Sequence, residues 1–189
     1  MVRDVTKGAV VAGVSVLFLI LLVGLAGAFE NENATVVLDL DPADGNQGMT
    51  TLAAAVGEEV VVEVYGTVVD IKGFTIQIGF DAEKLSFVKE SSTVESGFQV
   101  LPPDLIDGDA GAVGLLLAGT KSGDPLLLAK MVFKPLEDFR SATLTVTKAE
   151  FTSPSGTDRP TVDATAKITE EGIAVETESW GKVKARFVQ

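Results

Sequence analysis

The stretch "KGFTIQIGFDAEKLSFV", Lys72 to Val88, decides the fold class. Phe74, Ile76, Ile78 and Phe80 alternate with Thr75, Gln77 and Gly79. That is the two-residue period of a strand with one buried face. Asp81 stands where a carboxylate can cap a turn through neighbouring backbone, and Leu85 then returns to an apolar position. A core-facing strand, a tight corner and a second short strand are expected.

Outward from this stretch the chain keeps the same character. "TVVLDL" (Thr35 to Leu40), "EEVVVEVYGTVVD" (Glu58 to Asp70) and "SATLTVTKAEF" (Ser141 to Phe151) read as strands, and "TAKITEEGIAVET" (Thr165 to Thr177) closes the series. "GAVGLLLAG" (Gly111 to Gly119) and "PLLLAKMVF" (Pro125 to Phe133) are apolar enough to be central strands. "DPADGNQG", "LPPDLIDGDAG", "TKSGDP" and "TSPSGTDRP" hold the Gly, Pro, Asp and Asn of turns, and are expected to be connections. No helical period of useful length interrupts them. About nine short, regularly spaced strands predict an all-β, antiparallel sandwich of jelly-roll type.

Composition narrows the function. The chain has 189 residues, enough for one domain and an appendage, and contains neither cysteine nor histidine. Disulfides, thiolate chemistry, histidine-ligated zinc and Ser-His-Asp hydrolysis are thereby excluded. A formal charge of −12 disfavours nucleic acid. It suits cationic partners or calcium. The paired glutamates carry no mark of a carboxylate pair set across a cleft, so the chain is not expected to be an enzyme.

The two ends differ from the body. "GAVVAGVSVLFLILLVGLAGAF", Gly8 to Phe29, carries no charge. It reads either as a signal peptide cut after Ala28 or as an uncleaved helical anchor, long enough to cross roughly 30 Å of hydrocarbon. Ala26, Ala28 and the polar "ENENA" favour cleavage; the length of the run suits an anchor. Either way the remainder is extracytoplasmic. At the other end, "ESWGKVKARFVQ" spaces Trp180, Val183 and Phe187 among Lys182, Lys184 and Arg186. The expected organisation is 1–28 as signal or anchor, 35–177 as the sandwich and 178–189 as a basic amphipathic tail.

"VVDIKGFTIQIGFDAEKLSFV" resembles the central signature of cohesin domains, the jelly-roll sandwiches that hold dockerin modules in cellulose-degrading assemblies. The resemblance lies in Gly73-Phe74, Phe80-Asp81 and Leu85, and continues in the apolar-Ala-Lys run at Leu128 to Lys130. It covers about Thr35 to Thr177. It implies a non-catalytic binding module whose partner is a dockerin-like module of a secreted protein, tied to polysaccharide breakdown. In many cohesins a polar pair at the start of the signature strand contacts the dockerin, and Gly73 and Thr75 occupy those places here. Related sandwiches bind carbohydrate, so a polysaccharide is an alternative partner, with Tyr65 and Trp180 as stacking candidates. A structural or adhesive cell-surface role is a third possibility.

Two further sites follow from the residues. Asp39, Asp41, Asp44 and Asn46 in "DLDPADGNQG" supply oxygens suited to Ca2+, set against the plain reading of a strand end and turn. Asp104, Asp107 and Asp109 form a weaker set. In "PLLLAKMVF", inward-facing Leu127, Ala129, Met131 and Phe133 would leave Leu126, Leu128 and Val132 outward beside Lys130 and Lys134. That would make an apolar, charge-rimmed protein-binding surface.

Overall fold

The computed structural model describes residues 30–171 except 42, 44 and 138. The expected N-terminal helix, the end of the last strand to Thr177 and the basic tail lie outside the described residues. Among the described residues, twelve strands form two sheets packed face to face. Among the described residues there is no helix.

Sheet A contains β1 (Thr35–Asp39), β3 (Val60–Ile71), β9 (Lys121–Pro135) and β5 (Leu85–Phe87) in that order, with β6 (Thr93–Val94) also on β9. Sheet B contains β2 (Thr51–Ala54), β12 (Thr165–Glu170), β10 (Ser141–Ser153), β4 (Gly73–Gly79), β8 (Asp109–Leu115) and β7 (Gln99–Ile106). The short β11 (Gly156–Asp158) adds to β10. Every pairing is antiparallel except that of β2 with β12. The non-consecutive neighbours are those of a jelly roll.

The expected alternation holds in β4. Phe74, Ile76 and Ile78 are buried in the core between the sheets. Facing residues on sheet A include Val60, Val62 and Val64, and β10 adds Leu144, Val146 and Phe151. The corner after β4 also forms as expected. Asp81 accepts from the Glu83 N–H at 3.0 Å, pairs with Lys84 at 3.1 Å, and its carbonyl takes the Leu85 N–H at 2.9 Å. Lys84 and the Glu83 N–H hold the Asp81 carboxyl below its ordinary value. Leu85 is then fully buried.

Parts of two expected connections are strand, since β9 already begins at Lys121 within "TKSGDP" and β11 lies within "TSPSGTDRP", and two further departures change which residues face outward. "LPPDLI" is not a connection but most of β7. Asp107 (φ 55°) and Gly108 (φ 94°) make the two-residue turn into β8. Successive positive φ values are what such hairpin turns require, and Asp-Gly is suited to them. The apolar run in β9 is the other. Val64 pairs with Ala129 but Tyr65 pairs with Leu127, so Leu128 is an extra residue. A bulge of this kind exchanges the two faces of a strand. Ala129, Met131 and Phe133 point inward as expected; beyond the bulge Leu128 and Leu126 turn in instead of Leu127.

Leu128 therefore belongs to the core, with its side chain lying over Gly66. Leu128→Ala should destabilise the fold by about 2–5 kcal/mol, the usual range for emptying a packed site. Leu127→Ala should cost under about 1 kcal/mol. Urea denaturation of both variants would check this; equal effects would contradict the bulge.

Candidate functional site

The outer face of sheet B grades from apolar to charged across its strands. On β7 and β8, Leu101, Val113 and Leu115 form an aliphatic stripe, with Leu101 at 66% and Leu115 at 51% exposure. Ile106 continues the stripe, its side chain lying over Gly111. On β4 the outward residues are small or polar: Gly73, Thr75 and Gln77. On β10, Lys148 and Glu150 bring charge, and Thr152 stands opposite Gly73.

A cleft of about 400 Å3 opens in this face, lined by Gly73, Thr75, Gln99, Leu101, Val113 and Leu115, with Thr152 at its margin. Gly73 gives it depth. A Cβ there would meet the Gly114 carbonyl oxygen at 2.8 Å, closer than real Cβ contacts come, so the missing side chain is enforced by the neighbouring strand. Phe74, on the opposite face, packs its ring where a Gly114 side chain would stand, and meets Phe98 edge-on at 5.0 Å. The floor is thus fixed by packing beneath it.

The charged margin is a small network. Glu150 accepts from Arg159 Nε and stands 3.4 Å from Lys148 Nζ. The Arg159 hydrogen bond holds the Glu150 carboxyl below its ordinary value, against a smaller opposing effect of burial. It stays ionised well into the acid range.

The expected site residues are divided between the sheets. Gly73 and Thr75 both line the cleft. Leu126, Leu128, Lys130 and Val132 lie on sheet A and do not make the outward apolar surface expected of them. Leu128 is fully buried and Leu126 packs against the core. Val132 does face outward but is only 3% exposed. It lies between two cross-strand ion pairs, Lys130 with Glu63 at 2.5 Å and Lys134 with Glu59 at 3.4 Å. Lysine stems cover apolar neighbours in this way. Tyr65 is 5% exposed and donates to Glu63 at 2.6 Å, so it presents no ring to a sugar. Trp180 lies outside the described residues.

The proposed calcium loop is organised by one carboxylate instead. Asp39 is fully buried. Its Oδ1 accepts the N–H groups of Asp41 and Met49, both at 3.0 Å, and its Oδ2 those of Gln47 and Gly48. Asp41 accepts from Ala43, and Asn46 from Gly48. These oxygens face N–H donors, which repel a cation. Asp44 lies outside the described residues. Asp109 accepts from Thr147 and Asp104 stands 3.8 Å from Lys89. Among the described residues no group of three or more acidic side chains is arranged to hold a metal.

Sequence reasoning missed Gln99, Leu101, Val113 and Leu115 as a surface. Pro102 and Pro103 disguised β7 as a loop, and the usable signal was the Asp107-Gly108 turn between two apolar runs.

No family model matches the sequence, and no curated protein matches it. Solved structures do. The cohesin module of a family 33 glycoside hydrolase from Clostridium perfringens superposes with a TM-score of 0.57 at 13% identity, covering 73% of this chain and 98% of that one. The fold is that of the cohesin modules. CaCohA2 from Clostridium acetobutylicum matches at 0.55 and 18% identity, over 74% and 93% of the two chains, and has also been solved in a complex with CaDoc0917. A non-cellulosomal cohesin from the archaeon Archaeoglobus fulgidus matches at 0.52 and 14%, over 82% and 99%.

Burial alone would favour the protonated Asp39 carboxyl, but its four backbone N–H donors outweigh burial and hold it below its ordinary value. A carboxyl whose folded value is depressed stabilises fully above the unfolded value of about 3.9 and loses that contribution as pH falls through the folded value. Asp39→Asn should lower stability by about 1–3 kcal/mol at pH 7. Thermal melts of both proteins should converge as the pH is taken from 5 down through the carboxylate range, and a constant gap would refute the clamp.

Proposed function

We propose that the chain is an extracytoplasmic, non-catalytic binding module, and that the outer face of sheet B takes a dockerin-like protein module. The observation that carries this reading is the aliphatic stripe of Leu101, Val113 and Leu115 beside the hydroxyls of Thr75 and Thr152 and the charges of Lys148, Glu150 and Arg159. Protein partners bury such apolar centres within polar rims. A sugar-binding face would present aromatic rings. Among the described residues the exposed large apolar side chains are Met49, Val56, Val69, Leu101, Leu105, Leu115 and Leu117, none of them aromatic.

The cohesin-like fold and the place of Gly73 and Thr75 in the cleft support that partner class. The cleft over Gly73 has room for a protruding side chain. The partner is accordingly a module with an apolar anchor at that point and hydrogen-bonding groups for Thr75 and Gln99. The polysaccharide connection is that of the resembled family's assemblies. The archaeal match is to a non-cellulosomal cohesin, so the face suits a protein partner with or without that setting.

Immobilised full-length chain, exposed to the organism's secreted proteins with calcium and then with chelator, should retain proteins that share one small module. Leu101→Asp should weaken that capture by about 10–100-fold, the effect of charging the centre of an interface. Leu105→Asp, off the cleft, should leave it nearly unchanged. Equal capture by both variants, with intact folding by circular dichroism, would move the site elsewhere.

A further inference from the structure

We infer that the Asn33 side chain is an acceptor for an N-linked glycan. The inference rests on the extracytoplasmic reading above, and it holds whether the apolar run before it is cleaved or kept. Asn33-Ala34-Thr35 has the Asn-x-Thr spacing by which such acceptors are recognised, with a residue other than proline in the middle. The chain's other asparagines lack it: Asn31 and Asn46 are followed two places on by Asn33 and Gly48.

The fold separates Asn33 from its neighbour Asn31 a second time. Asn31 is 1% exposed and its side chain is engaged at both ends. Its amide donates to the Val69 carbonyl at 2.9 Å, and its side-chain oxygen accepts the Val69 N–H at 2.8 Å. The Asn31 carbonyl also takes the Ala34 N–H at 3.1 Å, which closes a turn with Asn33 at the surface. Ala34 is buried in the core cluster, while Asn33 and Thr35 on either side of it are exposed. Both side chains of the recognition pair are thus presented to solvent by the burial of the residue between them. Among the described residues neither the Asn33 amide nor the Thr35 hydroxyl has a hydrogen-bond partner, so a transferase displaces nothing in engaging them.

There is room for the product. A cleft of about 420 Å3 lies beside Asn33, lined by Glu32, Thr35, Arg159, Pro160 and Thr161. Its carboxylate, guanidinium and hydroxyl groups suit the hydroxyls of a sugar. It shares no lining residue with the cleft over Gly73. An amide nitrogen is a weak nucleophile, because its lone pair is delocalised into the carbonyl. The donor must therefore carry a good leaving group, and its class is a lipid-linked sugar phosphate. Nδ2 of Asn33 forms a bond to the anomeric carbon. The bond from that carbon to the phosphate oxygen breaks, its electron pair leaves with the phosphate, and one Nδ2 proton passes to a base of the transferase. Nothing is oxidised or reduced.

The test is mass spectrometry of the full chain recovered from its own cells and their medium, read on the digested peptide that contains Asn33. The expected result is a peptide heavier by a whole number of sugar residues, with sugar fragments released on dissociation. Asn33→Gln and Thr35→Ala should abolish the added mass, and Thr35→Ser should keep it. A glycan retained in Thr35→Ala overturns the assignment to this sequence. Protease added to intact cells separates the remaining outcomes. An unmodified Asn33 in chain that is cut from outside, or found in the medium, overturns the glycan and leaves the extracytoplasmic reading standing. An unmodified Asn33 in chain that is protected overturns both.

Discussion

Strand β4 is hydrogen-bonded along both edges, to β8 and to β10, so each of its side chains must point to one of only two faces. Phe74, Ile76 and Ile78 fill the core, and the residues between them form the centre of the outer face. A slip of one residue would drive the phenylalanine and isoleucines into the cleft and bury Thr75 and Gln77. Core burial thus enforces the shape of the outer face of sheet B. The interlock is closest at Gly73, Phe74 and Gly114, where two backbones approach too closely for a Cβ on one and a ring occupies the place of a Cβ on the other.

The parts of this arrangement that depend on neighbours in sequence were legible there. The alternation of β4, the Asp81 corner and the return of Leu85 to the core are each settled within a few residues. What was hidden depends on pairing between distant segments. The faces of β9 follow from a bulge opposite Val64 and Tyr65, which no local pattern announces, so Leu128 read as a surface residue. Asp39 could be read in sequence either as a cation ligand or as part of a turn, because a carboxylate that gathers backbone N–H groups and one that gathers oxygens around calcium occur in the same Asp-, Asn- and Gly-rich company. Only the positions of the Gln47, Gly48 and Met49 amides separate the two. The candidate face went half unseen because its outer wall, β7, contains two prolines.

The Glu150 charge on the outer face of sheet B is insensitive to conditions near neutrality. Glu150 is held ionised by Arg159 and Lys148, and no histidine exists anywhere in the chain to change state between pH 5 and 8. Whatever selectivity the face has is therefore written in shape and in fixed charge.

The prolines of β7 bear on whether a second chain can extend sheet B. Sheet B ends on this strand, and a sheet edge is ordinarily a template on which another chain can add. Pro102 and Pro103 lack N–H donors, and they sit where the ladder to β8 is already shifted by one residue. A neighbouring copy attempting to extend the sheet would find its hydrogen-bond register broken midway. This edge, unlike an unbroken one, gives a second chain no continuous ladder to join.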